Sequence, residues 1–414
     1  MPNTISELHI GRVLNPLSNG SIDSFDKGCL AITVQGKVGA LGYATELRAA
    51  HPDAVIHDHG DALITPGFID THVHLAQVYA RGYVAGGLLQ WLDEAIYPAE
   101  MCFADPKHAE AAAHAYAQDC IRNGITTSAV FLTSHPEASQ RCFEVISASG
   151  LSAVMGMVQM EHGAPDELCL SPSESLAATE KLIGAWHGFD EGRIRYALTP
   201  RFALSCSGDF LKELGKLRAQ DPSLFVHTHI SESTNECSQV AATFPESKNY
   251  LDVYKSNGLV GPHTILAHGI HMSDQELEEI SSCRAGVSHC PSSNLFLKSG
   301  TFPWARYLEK DVAFGLGSDV GAGPSMNLFS VMRDAYMIQP ELFLHPRELL
   351  WRATLGGAQA LGLDAETGSF APGKHADFLV LNPNAHPSIS ESQGADDSLD
   401  KTLSFLVFLG DDRC

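Results

Sequence analysis

Alternation is the property that most narrows the folds open to this chain. Short apolar segments recur between stretches of helical length and composition. The segments are ALITPGFID (62–70), GITTSAVF (124–131), LSAVMGMV (151–158), RIRYALTP (193–200), LFVHTHI (224–230), HTILAHG (263–269), AGVSHCP (285–291) and VAFGLGSD (312–319). Helix-like stretches such as HAEAAAHAYAQDCIRNG and PSESLAATEKLIGAWHG lie between them, the second opening at a Ser-Pro. Parallel βα units produce this rhythm. Eight of them make a (β/α)8 TIM-like barrel of roughly 250 residues or more.

The flanks read differently. From Glu7 to about Ala62 the chain gives short strands split by Gly, Asn and Asp turns: LHIGRVL, CLAITVQGKVGALG and AVIHDHGDALI. The same style returns after Gly362 in GSFAPGKHADFLVLNP. The expected organisation is therefore an α/β chain with a small β-sandwich domain built from both termini. Its parts are residues 1–63 and 366–414, around a (β/α)8 barrel at 64–365. The polar stretch from Asn384 to Asp400 reads as a loop.

Composition removes several function classes. Of the 414 residues, 27 are Lys or Arg and 49 are Asp or Glu, a formal net charge of −22. That balance repels phosphate backbones and argues against nucleic acid as a partner. No apolar run is long enough to cross a bilayer, and MPNTISELHIGRV lacks the basic start and apolar stretch of a signal peptide. The 10 cysteines include no Cys-x-x-Cys pair, which fits reduced thiols in a cytoplasmic protein better than a disulfide framework.

Barrel enzymes carry their chemistry at the C-terminal ends of the strands. There this sequence places His72 and His74, Arg201, His229, His268 and Asp319. His72 and His74 are two apart, so on a strand they share a face. They suit one metal ion, or an ordinary polar strand end; the spacing alone leaves both open. Three imidazoles and one carboxylate on one rim make a sensible shell for zinc. Glu232 lies three residues beyond His229 and is a natural proton shuttle, although SESTNE also resembles a helix-capping region.

These pieces carry a resemblance. PGFIDTHVHLAQ, LLQWLDEAIYPAE, TPRFALSC, HTHISE, FPESKNYLDVYKSNGL, LAHG, SHCPSSN, GLGSDVGAG, RATLGGAQALGLD and FLGDDR occur in order from Pro66 to Arg413. Together they resemble the single-metal branch of the amidohydrolase superfamily, and within it the members that deaminate guanine. The first ~60 residues resemble the family in style only. The resemblance implies one zinc ion per chain, held by His72, His74, His229 and Asp319. It implies Glu232 as proton shuttle, with Asp319 and His268 also catalytic, and His268 polarising the water or the substrate. It implies that Gln77, Arg201 and Phe202 hold the purine, with His229, Glu232 and Asp319 beside it. It further implies hydrolysis of guanine to xanthine and ammonia, a homodimer, and a further strand after FLGDDRC. A carboxylated lysine would support two metals, but TPRF has none at the end of the fourth strand.

Other residues invite weaker readings. His289 is structural or supportive, His227 a hydrogen-bonded support for the metal histidines, and Cys206 and Cys290 are packing thiols. Trp91, in a long loop after the first strand, belongs to the packing of a lid. Gly321 and Gly323 lack the GxxxxGK pattern of a phosphate loop and serve turn flexibility. The rival functions are a related deaminase of 8-oxoguanine or another aminated heterocycle, and a non-catalytic scaffold. Retention of the whole ligand set weighs against the scaffold, and absence of PCxxC against a nucleoside-type zinc deaminase.

Overall fold

The computed structural model describes residues 4–84, 88–393 and 398–414. The N-terminal flank supplies β1 (Ile5–Pro16), β2 (Ile22–Thr33), β3 (Val38–Tyr43) and β4 (Val55–Pro66). The central part supplies β5 (Phe68–His74), β6 (Ile125–Phe131), β7 (Ser152–Gly156), β8 (Val158–Gln159), β9 (Ile194–Pro200), β10 (Phe225–Ile230), β11 (Thr264–His268), β12 (Gly286–His289) and β13 (Phe314–Leu316). Near the C-terminus β14 (Phe378–Leu381) returns to the first sheet, whose order is β14-β4-β1-β2-β3.

The second sheet runs β13-β12-β11-β10-β9-β7-β6-β5, with β8 attached to β9, and its pairings are all parallel. Backbone bonds bring its two edges together. His74 donates to the Val320 carbonyl at 2.8 Å, and Asp319 donates to the His72 carbonyl at 2.9 Å. The same bonds that near closure of the barrel thus set Asp319 beside His72 and His74. The buried carboxylate of Asp70 reinforces them, accepting from the Ser318 amide (2.9 Å), the Ser318 hydroxyl (2.5 Å) and the His72 amide (3.2 Å).

The segment ALITPGFID, expected as one strand, is two. Gly67 divides it, so that β4 ends in the small sheet and β5 begins the barrel. A Cβ at Gly67 would overlap the Thr126 side chain; only a hydrogen lets the backbone pass so close to β6.

The polar stretch from Asn384 to Asp400 is not simply a loop. Helices span Pro387–Gln393 and Leu399–Leu409, while 394–397 lie outside the described residues. The second helix buries Thr402, Leu403, Leu406 and Val407 at helical spacing and packs on the helix Leu328–Met337. The segment after Leu88, read as a loop, is helical as well. It comprises Leu88–Trp91, a π-helical turn at Leu92–Ile96, and Tyr97–Met101. Among the described residues, no helix is long and apolar enough to cross a membrane.

Candidate active site

The C-terminal ends of β5, β10 and β11 and the turn after β13 converge on one cluster. His72 and His74 point from β5 to the same side, as strand alternation requires. Parallel pairing of β10 with β11 sets Ile230 beside His268 and His229 beside Ala267. His72 Nε2 lies 3.2 Å from Asp319 Oδ1, and His74 Nε2 lies 3.6 Å from the same oxygen. His74 Nε2 and His229 Nε2 face each other at 3.1 Å. His268 Nε2 is 3.7 Å from Asp319 Oδ2 and 3.4 Å from Glu232 Oε2.

Neighbouring groups set the tautomers. His229 Nδ1 donates to the Arg201 carbonyl at 2.5 Å, which turns its Nε2 lone pair toward the cluster. His72 Nδ1 meets His227 Nε2 at 2.7 Å, so His227 supports His72 from behind. Burial holds His72, His74, His227 and His229 well below the ordinary histidine range, and neighbouring imidazoles add to the effect. These rings are therefore neutral, the ligating form. Burial also opposes charge on His268, but the Glu232 and Asp319 carboxylates outweigh it and hold this ring above its usual value.

The donor set fits a divalent ion. His72, His74 and Asp319 offer atoms within 4.8 Å of one another, as do His72, His229 and His268. His72 Nε2 is buried without a hydrogen-bond partner, a costly state that an ion would relieve. Cys290 also comes within this distance of His268 and Asp319. Burial, then Asp319, raises its thiol well above the ordinary range, so it stays protonated and is a poor ligand. His289 lies outside these groups, stacked on Phe302 with ring centroids 4.3 Å apart. Cys206 is a buried thiol.

Glu232 is free of the capping role that SESTNE suggested. The helix is Thr234–Thr243, its N-cap is Ser233, and Glu236 completes the capping box. Glu232 turns inward instead, accepting from Ser299 Oγ at 3.1 Å and facing His268. Burial pushes its carboxyl up to about 7, with Asp319 and Glu236 adding to the effect of burial and His268 opposing it.

Above the cluster opens a pocket walled by Leu88, Trp91, Leu92, Phe202, Leu297 and Ala322. Its polar lining includes Gln77 and Arg201 together with His74, His229, Glu232, His268 and Asp319. Trp91 thus lines the pocket itself, its indole N–H held by the Tyr83 carbonyl at 2.9 Å. Glu100, which sequence reasoning missed, organises one wall. Its Oε1 accepts from Gln77 Nε2 at 2.8 Å, and its Oε2 from Arg201 Nη1 at 2.6 Å. Gln77 Oε1 accepts from the Gly321 amide at 3.1 Å. An acceptor-only carboxylate on one side and a donor-only amide on the other allow just one orientation of the Gln77 amide.

Three residues at this rim have left-handed backbone without being glycine: Ser231 (φ 49°), His268 (φ 73°) and Asp319 (φ 47°). Each costs about 1–3 kcal/mol, and such conformations gather where structure serves function.

The Amidohydrolase family model matches residues 63–410. A guanine deaminase of Escherichia coli (strain K12) is 36% identical over 402 residues, 96% of this chain and 91% of that one. A solved E. coli guanine deaminase superposes with a TM-score of 0.95 at 34% identity, covering 98% of this chain and 96% of that one. A probable guanine deaminase of Deinococcus radiodurans is 38% identical over 399 residues, 94% of this chain and 90% of that one. The guanine deaminase of C. acetobutylicum, solved with guanine bound in the active site, gives a TM-score of 0.90 at 30% identity, covering 98% of this chain and 96% of that one.

Proposed function

From the premise that the chain belongs to the amidohydrolase family, we propose that it is an enzyme that hydrolyses guanine to xanthine and ammonia. Water supplies an oxygen to C2, the exocyclic C–N bond breaks, and the amine leaves as ammonia. What supports this reading most is a juxtaposition. One cavity joins the His/Asp donor group and Glu232 to a wall on which Glu100 fixes Gln77 and Arg201. Relatives over nearly the whole chain are guanine deaminases.

His72, His74, His229 and Asp319 would hold one zinc ion per chain. When bound, such an ion supplies Lewis-acid chemistry, lowering the pKa of water toward about 7 so that a nucleophile exists at neutral pH. Asp319 accepts the proton from the attacking water. Glu232, placed to be protonated near neutrality, gives its proton to the ring nitrogen beside C2 and afterwards assists the departure of ammonia. His268 lies between these two carboxylates and orients both. Arg201, a donor-only fork, meets the 6-oxo group. The Gln77 amide, locked in one orientation, meets the ring edge, and Phe202 and Trp91 bound the apolar space around the purine plane.

The same proposal includes a homodimer working in guanine catabolism in the cytoplasm. It also takes 1–63 and 366–414 as the small domain around a barrel at 64–365. Free cysteines throughout the described residues suit a reducing compartment.

The test is ammonia release from a panel of purines, with zinc content measured alongside. Guanine should exceed adenine by about 10⁴-fold or more, because adenine leaves the Arg201 donors without an acceptor. Glu232→Gln should keep its metal while turnover falls roughly 10²–10⁴-fold. Comparable rates on adenine and guanine would overturn the assignment of the pocket.

A further inference from the structure

In the barrel the spacing His-x-His occurs on β5 (His72 and His74) and on β10 (His227 and His229); outside it there is a further pair, His57 and His59 on β4. This last pair lies in the small sheet. There β1 runs parallel to β4 with His9 directly opposite His57 and Glu7 opposite Val55. Alternation then puts Glu7, His9, His57 and His59 on one face.

Their polar atoms converge. His57 Nε2 is 3.0 Å and His9 Nε2 is 3.3 Å from the same oxygen, Glu7 Oε2. One donor atom from each of Glu7, His9 and His57 lies within 4.8 Å of the other two. His9 Nδ1 meets His59 Nε2 at 3.1 Å. His9 Nε2 makes its own hydrogen bond to Glu7 Oε2; when His9 instead donates from Nδ1 to His59, its Nε2 lone pair turns toward Glu7 and His57. This is the arrangement that the Arg201 carbonyl imposes on His229 in the barrel. His57 Nε2 is buried yet makes no hydrogen bond of acceptable geometry, despite the nearby carboxylate. The His9 ring is buried and packs edge-on against Phe378 with centroids 4.7 Å apart, whereas Glu7 and His57 are partly open to solvent. Burial, with the neighbouring histidines, holds His9 and His59 below the usual histidine range although Glu7 pulls His9 the other way. These two rings are neutral at physiological pH.

Two imidazoles and a carboxylate, with the remaining positions open to water, suit a borderline divalent ion of the zinc, nickel and copper class rather than magnesium or calcium. We propose that Glu7, His9 and His57 form a second, exchangeable transition-metal site on the small sheet, with His59 orienting His9. This goes beyond the proposed function, which requires one ion in the barrel only. The plain alternative is a ladder of stacked imidazoles with no affinity for metal, as the His9–His57 ring spacing of 4.5 Å allows.

The two are separated by titrating Ni²⁺ into zinc-loaded enzyme, reading nickel uptake, retained zinc and guanine turnover in the same samples. The parent should take up one nickel per chain without losing zinc. His57→Ala should lose that uptake, and Glu7→Gln should weaken it at least ~10-fold, both with parental zinc content and turnover. With Cu²⁺ as probe, electron paramagnetic resonance should show two nitrogen donors in the parent and one in His57→Ala. Absence of uptake by the parent, or equal uptake by the parent and His57→Ala, would overturn the site. Because turnover and zinc are read separately, failure of this inference is distinct from failure of the deaminase reading.

Discussion

Glu100 shows how one buried carboxylate can settle the character of a binding pocket. It neutralises Arg201 and spends one donor of Gln77, leaving a wall that offers directed hydrogen bonds without net charge. Glu100→Gln replaces two acceptor oxygens by one acceptor and one donor, which must then face either Gln77 Nε2 or the Arg201 guanidinium. We expect this variant to raise KM for guanine by about 10–100-fold, roughly 1.4–2.8 kcal/mol of binding, with a smaller fall in kcat and unchanged zinc content. Steady-state kinetics beside metal analysis checks this, and an unaltered KM would remove Glu100 from the pocket's design. The metal-type residues were legible in the sequence because strand alternation and barrel polarity act locally on His72, His74, His229, His268 and Asp319. Glu100 was not. Its partners Gln77 and Arg201 are 23 and 101 positions away, and no local pattern distinguishes an acid that grips two distant donors from one that faces water.

At the scale of elements, the barrel's strand–helix rhythm was readable because each βα unit carries its own pattern of burial and capping. The helix Pro172–Trp186, with its Ser171–Glu174 capping box, is an instance. The C-terminal segment was harder. Its polar lead-in hides the helix Leu399–Leu409, whose apolar stripe makes sense only against the barrel helix that receives it. The lid segment from Leu88 to Met101 was obscured in the same way: its apolar residues face a cavity that exists only once the barrel has closed. Leu406 is 1% exposed, and Leu406→Ala should destabilise the protein by about 2–5 kcal/mol. Below its melting range the variant should turn over guanine at the parental rate. Urea unfolding followed by circular dichroism gives the first quantity; a loss under 1 kcal/mol would mean that this helix is not an integral part of the core.

The whole molecule is tied together at its rim and at its base. Around the rim, the proposed ligand residues come from β5, from β10 and from the turn after β13, so an ion bound by them would link parts of the barrel distant in sequence. Removing it with a chelator should lower the melting temperature by several degrees, with zinc restoring both stability and turnover; saturation at 100 times Kd alone is worth ~2.7 kcal/mol. Calorimetry on holo, stripped and reloaded protein checks this, and an unchanged transition would argue against a tightly held ion. At the base, Gly67 is the entire connection between β4 and β5, and its amide is bonded to the Asp377 carbonyl just ahead of β14. With both crossings between sheet and barrel bonded together here, the two should lose structure as a single cooperative unit. The metal ion proposed for the rim, held there by four side chains, should then slow the exchange of amide hydrogens in β1 and β2, in a sheet that contributes none of those ligands.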